Sequence, residues 1–571
     1  MTTEPLTPKK SKVELIKESS RNLRGSLADE LAQETSKFAG DSVQLLKFHG
    51  IYQQEDRDVR KSVRDDGGDR SYIFMIRTRI PAGLLTAGQY LAFDRIADEF
   101  ANGSLRITTR QTIQFHGVIK RRLKSSIRKI NDSLVTTLGA CGDVERNVVT
   151  CPAPDGDAAH EAIRDLALEL SDGLLPKTRA YHEIWLNGEK ALTTEPEHEP
   201  LYGVNYLPRK FKTGVALPHD NCIDVHSNDL GLLAVTGPNG VEGANVLVGG
   251  GFGMTHGITV TYPRLADPMA YVIRGEVLEV AQAIVAVYRD HGDRSNRKHA
   301  RIKYLVAERG IDWLKSEVER RLGRTLEAPR DLPVTAVDDH LGWHPQANGK
   351  LYLGVHVPSG RIADAGDCRT RSAFRTLVER FAPRVVLTTQ QNLVFADLDP
   401  ADRAAIEDLL AAHGVVAAAA SLPLVHRFSM ACPAMPTCGL AVSEAERVMP
   451  RLVEDIEARW ASHGLASQPV VVRMTGCPNG CARPYNAEIG VVGRSGDNYN
   501  VYIGASALGT RLNTLLAELV PLAGIGALLD PLFAAYRERR ANSETFGDFC
   551  DRIGVEEART ITAGSPAGVS R

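Results

Sequence analysis

The chain has 571 residues, of which 43% are hydrophobic and 24% charged, with 68 Lys and Arg against 70 Asp and Glu. That length exceeds one core and predicts roughly three to four domains. The composition excludes disorder or collagen-like repeats as the main character, and a net charge of −2 gives no bulk attraction to nucleic acid or membrane.

No apolar run reaches transmembrane length. Leu409 to Val425 is broken by His413 and Pro423, and Leu515 to Tyr536 by Glu518, Pro521 and Asp530. The opening MTTEPLTPKKSK has no apolar export segment, and nine Cys are too sparse for a disulfide scaffold. A reduced, cytoplasmic protein with no membrane contact is expected.

Residues 1–71 read as an N-terminal arm. Ser11 and Glu14 have capping-box spacing before a short helix through Val13, Leu15 and Ile16. The charged run DRDVRKSVRDDGGDR then reads as a solvated linker.

The next segments repeat. FMIRTRIPAG at 74–83 returns as LYLGVHVPSG at 351–360, and LRITTRQTIQF at 105–115 returns as VVLTTQQNLVF at 385–395, with offsets of 277 and 280 residues. Helices are expected between the members of each pair, near 90–101 and 371–381, and after each second member, near 120–135 and 400–412. Residues 140–334 and 413–571 alternate strand-like runs (YHEIWL, NVLVGG, GITVTY) with helix-like ones (Asp157 to Leu174, Glu276 to Arg289), so the class is α+β.

Cations sit in one copy of the repeat. Read as strands, FMIRTRIP puts Arg77 and Arg79 on one face, and LRITTRQTIQFHG puts Arg106, Thr108, Arg110, Thr112, Gln114 and His116 on one face. PRKFKTGV pairs Lys210 with Lys212, leaving Arg209 and Phe211 opposite; Arg146 adds a further cation. The second copy has Gly354, His356, Val386 and Gln390 at the matching places, which suggests one working site. Like charges at neighbouring positions repel, so a concave cationic face calls for an anion. With few interleaved aromatics to stack bases, nucleic acid is not expected. LVGGGFGM at 247–254 does not match a dinucleotide fingerprint and reads as a tight turn or a backbone approach to a bulky ligand.

Five Cys (141, 151, 222, 368 and 550) are scattered and read as small buried hydrophobes. The other four form C-x5-C at Cys432 and Cys438 and C-x3-C at Cys477 and Cys481. Four structural thiols, a zinc site of four cysteines and a [4Fe–4S] cluster all remain open, although five intervening residues is wide for zinc.

With ACPAMPTCGLA, TGCPNGCARPYNAE, LIKESSRNLRG, KFHGIYQQEDRD, RNVVT and FGDFCDRIG on the page, the chain resembles the siroheme-containing sulfite and nitrite reductases over nearly its whole length. The resemblance implies a pseudo-twofold duplicated fold in three domains: 72–139 with 335–412 as the duplicated ferredoxin-like (parachute) domain, 140–334 as the siroheme and substrate domain, and 413–571 as the iron–sulfur and siroheme domain. It implies that Cys432, Cys438, Cys477 and Cys481 bind a [4Fe–4S] cluster, and that Cys481 also ligates the siroheme iron. It assigns siroheme contacts to Arg106, Thr108, Arg110, Gln114, His116, Arg209 and Asn479, and a substrate pocket to Arg77, Arg146, Lys210 and Lys212. The implied reaction is six-electron reduction of sulfite to sulfide, with electrons from ferredoxin or an NADPH-oxidising flavoprotein. Nitrite reduction is the alternative within the family, although nitrite-reducing members commonly carry Asn where this chain has Lys212. A zinc-stabilised anion- or RNA-binding protein is the alternative from another class.

Overall fold

The computed structural model describes residues 9–154, 157–177, 185–186, 189–190, 199–238 and 240–564. The expected strand YHEIWL lies outside the described residues except for its last two positions.

Two five-stranded sheets carry the repeat. One runs in the order Ile51–Glu55, Tyr72–Arg77, Ile113–Val118, Leu105–Ile107, Arg361–Ile362; the other runs Gly342–Pro345, Leu351–Val355, Leu393–Leu398, Arg384–Leu387, Leu84–Leu85. The copies therefore exchange their edge strands: the short strand after each Pro-x-Gly crosses into the other sheet. The turn that redirects it is strained the same way in both copies, with Ala82 at φ 54° and Ser359 at φ 49°. The glycine that follows is obligatory. A Cβ at Gly83 would lie 2.5 Å from Leu387 O, and one at Gly360 would lie 2.4 Å from Ile107 O.

LRITTRQTIQFHG does not run as one strand. Leu105–Ile107 and Ile113–Val118 form a hairpin with Arg106 opposite Gln114, and Gln111 takes φ 51° in the turn. The threonines close it: Thr108 Oγ1 accepts from Arg110 N at 3.2 Å and meets Thr112 Oγ1 at 2.7 Å. The second copy turns alike, with Gln391 at φ 68° and Asn392 N donating to Thr388 Oγ1 at 2.9 Å. Arg106, Gln114 and His116 still share a face, but Thr108, Arg110 and Thr112 belong to the turn.

The intervening helices form as expected, at Ala87–Phe100 and Thr370–Phe381, followed by Leu123–Asp132 and Arg403–Ala412. Thr86 and Gln89 make a full capping box on the first. Arg371 of the second copy reaches Asp94 (2.7 Å) of the first. Phe74, Phe93 and Phe115 share one core with Phe374 and Phe395.

Two further five-stranded sheets make a second related pair. One is ordered Val149–Thr150, Thr213–Ala216, Leu230–Gly237, Gly240–Val248, Asp267–Ile273; the other is ordered Ser429–Ala431, Val472–Thr475, Ile489–Ser495, Asn498–Ile503, Thr514–Pro521. In both, the first three strands are parallel and the last two antiparallel.

The first 71 residues are not a free arm. Ile51–Glu55 is an edge strand of the first sheet, paired from Ile51↔Ile76 to Glu55↔Tyr72. The helix Lys12–Glu18 forms, but Ser11 makes no side-chain cap. The Glu14 carboxylate instead pairs with Lys17 and Arg294, and Lys17 donates to Leu207 O at 2.7 Å. Burial outcompetes the cap, because an unpaired Lys17 ammonium in this interface would be costly. The charged run 56–70 likewise contains the helix Arg60–Asp65, and Arg57 donates to Ala441 O at 2.6 Å.

The exchange predicts a measurable dependence on Gln111. Its Nε2 donates to Leu387 O at 2.8 Å in the other copy, and its Oε1 accepts from Thr150 N at 3.0 Å. Gln111→Ala strands both buried groups and should destabilise the fold by about 2–4 kcal/mol. The midpoint of chemical denaturation reads it; an unchanged midpoint would show that the tie contributes nothing.

Candidate active site

Cys432 follows the strand Ser429–Ala431, and Cys477 follows the adjacent parallel strand Val472–Thr475. Strand pairing therefore delivers the two Cys pairs to one sheet end. Cys432 and Cys477 are buried, Cys438 is half-buried and Cys481 is exposed. Gly476 N donates to Cys432 Sγ, and Asn479 Nδ2 to Cys477 Sγ, both at 3.4 Å. Burial pushes the Cys477 thiol up to about 12, and Cys481 and Cys438 close by add to the shift. Cys432 rises well above its usual value through burial and the neighbouring Cys481 and Cys477. All four sulfurs thus interact in a single constellation, whose free thiols would be costly to ionise unless a cationic centre took them.

Two distant segments converge on the loop that carries Cys481. Thr109, at the tip of the first hairpin, donates to Cys481 O at 3.0 Å. Met254 N donates to Pro478 O at 3.1 Å, which lays the glycine-rich 247–254 loop against the cysteine loop. That loop is a close backbone approach, as read from the sequence. A Cβ on Gly250 would lie 2.1 Å from His226 O. Lys303 fastens it, donating to Gly251 O at 3.1 Å and Gly253 O at 2.9 Å.

Lys210 and Lys212 do not lie on a regular strand. In PRKFK only Phe211 bridges, to Glu145, and the strand begins at Thr213. Alternation survives in the bridge, so both lysines enter one space. Burial, with Arg110 and Arg301 nearby, pulls Lys212 down to about 7, opposed by Asp229 and Cys481. Burial and Lys212 itself, then Arg146, pull Lys210 well below its usual value. Asp229 is already engaged. It pairs with Arg301 at 2.9 and 2.7 Å and accepts from Lys212 N at 2.9 Å. Neither ammonium has a hydrogen bond or ion pair to protein among the described residues.

The remaining expected residues divide. Gln114, with its amide oxygen turned to Arg77, accepts from Arg77 Nη2 at 2.5 Å and donates to His116 Nε2 at 3.3 Å. Burial and then Arg361, Arg106 and Arg77 hold His116 neutral. Arg110 donates to Asn228 Oδ1 at 2.5 Å and to Asn147 O and Thr213 O at 2.6 Å. Arg146 donates to Gly142 O at 3.2 Å. Arg209 leans on Asp143 at 3.7 Å and still lies near enough to Lys210 to help lower it. Arg106 is already occupied by protein: Nε donates to Glu446 at 2.8 Å and Nη2 to Ala431 O at 2.9 Å, so it braces the strand end that bears Cys432. Arg79 does not share the fate of Arg77. The strand ends at Arg77, and Arg79 turns to Glu145 at 3.0 Å and Ser171 O at 2.9 Å.

Sequence reading missed Thr109, Asn147, Asn228, Asp229, Arg301 and Lys303. Only Asn147 and Thr109 carried a signal, as neighbours of Arg146 and Arg110. Cys151 and Cys222 are buried in a hydrophobic core as expected, but with Asp220 and His340 beside them, whereas Cys368 is exposed and not a buried hydrophobe.

Residues 169–326 match the family described as the nitrite and sulphite reductase 4Fe-4S domain, and 66–132 and 344–413 match the nitrite/sulfite reductase ferredoxin-like half domain. The sulfite reductase [NADPH] hemoprotein beta-component of Methylobacterium sp. (strain 4-46) is 48% identical, covering 96% of this chain and 91% of its own length. The corresponding protein of Myxococcus xanthus is 46% identical, covering 95% and 96%. The sulfite reductase [ferredoxin] of Synechococcus elongatus is 44% identical, covering 97% and 91%. The structure of the Mycobacterium tuberculosis NirA protein aligns with a TM-score of 0.77 at 25% identity, over 97% of this chain and 98% of that one. Relatives of this length and identity set aside the zinc-stabilised RNA-binding alternative.

The residues present fit a polycarboxylate tetrapyrrole. Arg110 Nε, Arg146 Nε and His116 Nδ1 are buried without a hydrogen-bond partner, and the two lysine ammoniums lie close by. These donors outnumber the unpaired acceptors beside them, Asn147 Oδ1 and Glu145 Oε1, and a donor surplus is what carboxylates fill.

The cysteine geometry makes a direct prediction. Ser in place of Cys432, Cys438, Cys477 or Cys481 should lower the iron and acid-labile sulfide bound per chain, with Cys481→Ser also losing the siroheme absorption bands. Full iron and full activity in all four variants would refute the ligand assignment.

Proposed function

Because the chain belongs to the family of nitrite and sulfite reductases, we propose that it is an assimilatory sulfite reductase hemoprotein, reducing sulfite to sulfide with six electrons at siroheme and a [4Fe–4S] cluster. The observation that carries the reading is the pair of unpartnered ammoniums, Lys210 and Lys212, the second of them near the exposed Cys481.

The bound siroheme and cluster supply stepwise electron delivery to the substrate. Cys432, Cys438, Cys477 and Cys481 would hold the cluster, and Cys481 the siroheme iron as well. Arg110, Arg146, Arg209 and His116 would meet the siroheme carboxylates, with Thr108, Gln114 and Asn479 as polar contacts. Arg106 would act chiefly by positioning the Cys432 loop. Sulfite near pH 7 carries up to two negative charges, and Arg77, Arg146, Lys210 and Lys212 would bind its oxygens. Lys212 is pulled down to about 7, so it can give up a proton to an oxygen leaving as water and regain one from solvent. Electrons come from a donor protein, ferredoxin or an NADPH-oxidising flavoprotein, and relatives named for each donor match along nearly the whole chain. Nine free cysteines suit a reducing compartment, and the cytoplasm is the proposed location.

Lys212 decides between sulfite and nitrite. With an artificial one-electron donor, Lys212→Asn should lower kcat/KM for sulfite by roughly ten- to a hundredfold, the loss of about 1.5–3 kcal/mol from one charge-assisted hydrogen bond. Nitrite turnover should fall less. Equal loss of both, or a wild-type enzyme far better with nitrite, would overturn the sulfite assignment.

The lowered pKa gives a second readout. Below about 7 the wild-type ammonium is charged and attracts the anion; above that value the attraction fades. Sulfite itself titrates in this window, so the informative quantity is the ratio of KM in Lys212→Met to that in wild type. It should be largest near pH ~6 and shrink toward unity by about pH 8. A ratio independent of pH would mean that Lys212 does not titrate there.

A further inference from the structure

The second related pair of sheets contains a counterpart of the cluster site. In one sheet Thr150 pairs with Val215, and Thr213 with Leu230. In the other, Ala431 pairs with Met474, and Val472 with Ile489. Matching these registers sets Cys151 on Cys432 and Cys222 on Cys481. The sequences agree, with TCPAP at 150–154 against ACPAM at 431–435. The residue two beyond each second Cys is left-handed in both, Asp224 at φ 52° and Arg483 at φ 57°. At the counterpart of Cys477 stands Pro218, so a four-thiolate site cannot form there.

A different donor set replaces it. The ligand atoms of Cys151, Asp220, Cys222 and His340 all lie within 4.8 Å of one another, and all four residues are buried. His340 Nε2 is 3.0 Å from Asp220 Oδ2 and 3.6 Å from Cys151 Sγ. With Cys151 Sγ 2.5 Å from Asp220 Oδ2, these separations lie at or below the edges of about 3.3–3.8 Å of a tetrahedron built on metal–ligand bonds of about 2.0–2.3 Å, so the four donors would draw apart by up to about 1 Å around an ion. The other carboxylate oxygen is held by backbone donors, Cys222 N at 3.3 Å and Asp338 N at 3.4 Å, the outer support that metal-binding carboxylates receive. Two thiolates and a carboxylate around a divalent ion leave one negative charge, and the neighbouring Arg483 and Arg473, which share the single carboxylate of Asp224 at 2.8 and 2.7 Å, leave one positive charge beside it.

We propose that Cys151, Asp220, Cys222 and His340 bind one zinc-class divalent ion in a closed structural site, where the duplicated scaffold carries the iron–sulfur cluster on its other side. Two thiolates, one imidazole and one carboxylate satisfy a tetrahedral d10 ion with no position left for substrate. The ion joins the loop after Thr213–Ala216 to the segment leading into the second ferredoxin-like half. That junction is otherwise held by single bonds such as Asn221 N to Ala336 O at 3.0 Å.

The test is elemental analysis of the holoenzyme, purified after growth with zinc and desalted. One zinc per chain is expected in addition to the cluster and siroheme iron. Zinc-edge X-ray absorption should give two sulfur neighbours at about 2.3 Å and two nitrogen or oxygen neighbours at about 2.0–2.2 Å. Cys151→Ser and His340→Gln should each lower zinc affinity by roughly tenfold or more while the iron content stays, whereas Cys368→Ser, at an exposed position, should change neither. Wild-type protein that holds no zinc above the buffer blank would overturn the proposal and leave a bare Asp220–His340 ion pair. Zinc with four sulfur neighbours would also overturn it, since that ion would be misloaded into the cluster cysteines.

Discussion

The structure is organised around a surplus of positive charge in its interior, half-buried except for the buried Arg146. Lys210, Lys212, Arg110 and Arg146 lie close to one another, with Lys212 near Cys481, and each acid close by has a fixed assignment: Asp229 to Arg301, Asp143 to Arg297 and Lys17, Glu145 to Arg79, Glu446 to Arg106 and Arg361. Half-buried like charges at close quarters are unfavourable, and an anion bound among them would relieve that cost. Cofactor carboxylates and an anionic substrate would together supply that negative charge. Burial, and after it the neighbouring Arg110 and Arg301, lower Lys212 to about 7, which suits it to the proposed proton transfer.

Holding that charge in register requires rigid supports from far apart in the sequence. The edge-strand exchange locks the two ferredoxin-like halves and fixes the hairpin tip that presents Arg110 and Thr109. The helix Lys12–Glu18 secures the lysine segment from behind, through Lys17 on Leu207 O and through Asp143, which also binds Arg297. Arg57 fixes the C-x5-C loop through Ala441 O. Segments that look like a solvated arm and linker are thus part of the support for the site, because their charged groups find buried partners only in the assembled fold.

The duplication also explains the asymmetry. In the second copy, Gln390 stands for Arg110 and donates to Asp338 O at 3.1 Å, with no anion to meet. Scaffold and function have separated: the strand exchange and the left-handed turns persist in both copies, while charge is kept in one.

Much was legible in the sequence because it is local. Repeats, the two cysteine spacings, the helices and the glycine-rich turn are set by neighbours along the chain. Cys432 with Cys438 and Cys477 with Cys481 point to a metal centre by spacing alone, and the motifs around them point to the family. Alternation placed Lys210 and Lys212 in one space even though the segment is a bridge and not a strand. What only the tertiary structure decided are pairings across hundreds of residues. Arg106 looks free in sequence and is occupied by Glu446, whereas Arg77 and Arg79 look equivalent and part because the strand ends between them. Cys151, Asp220, Cys222 and His340 have no shared motif, and come together only because parallel strand pairing and a distant loop bring them to one point. Spacing encodes what neighbours do; the partner of a buried charge or thiol is chosen by the packing of whole domains, which no local pattern records.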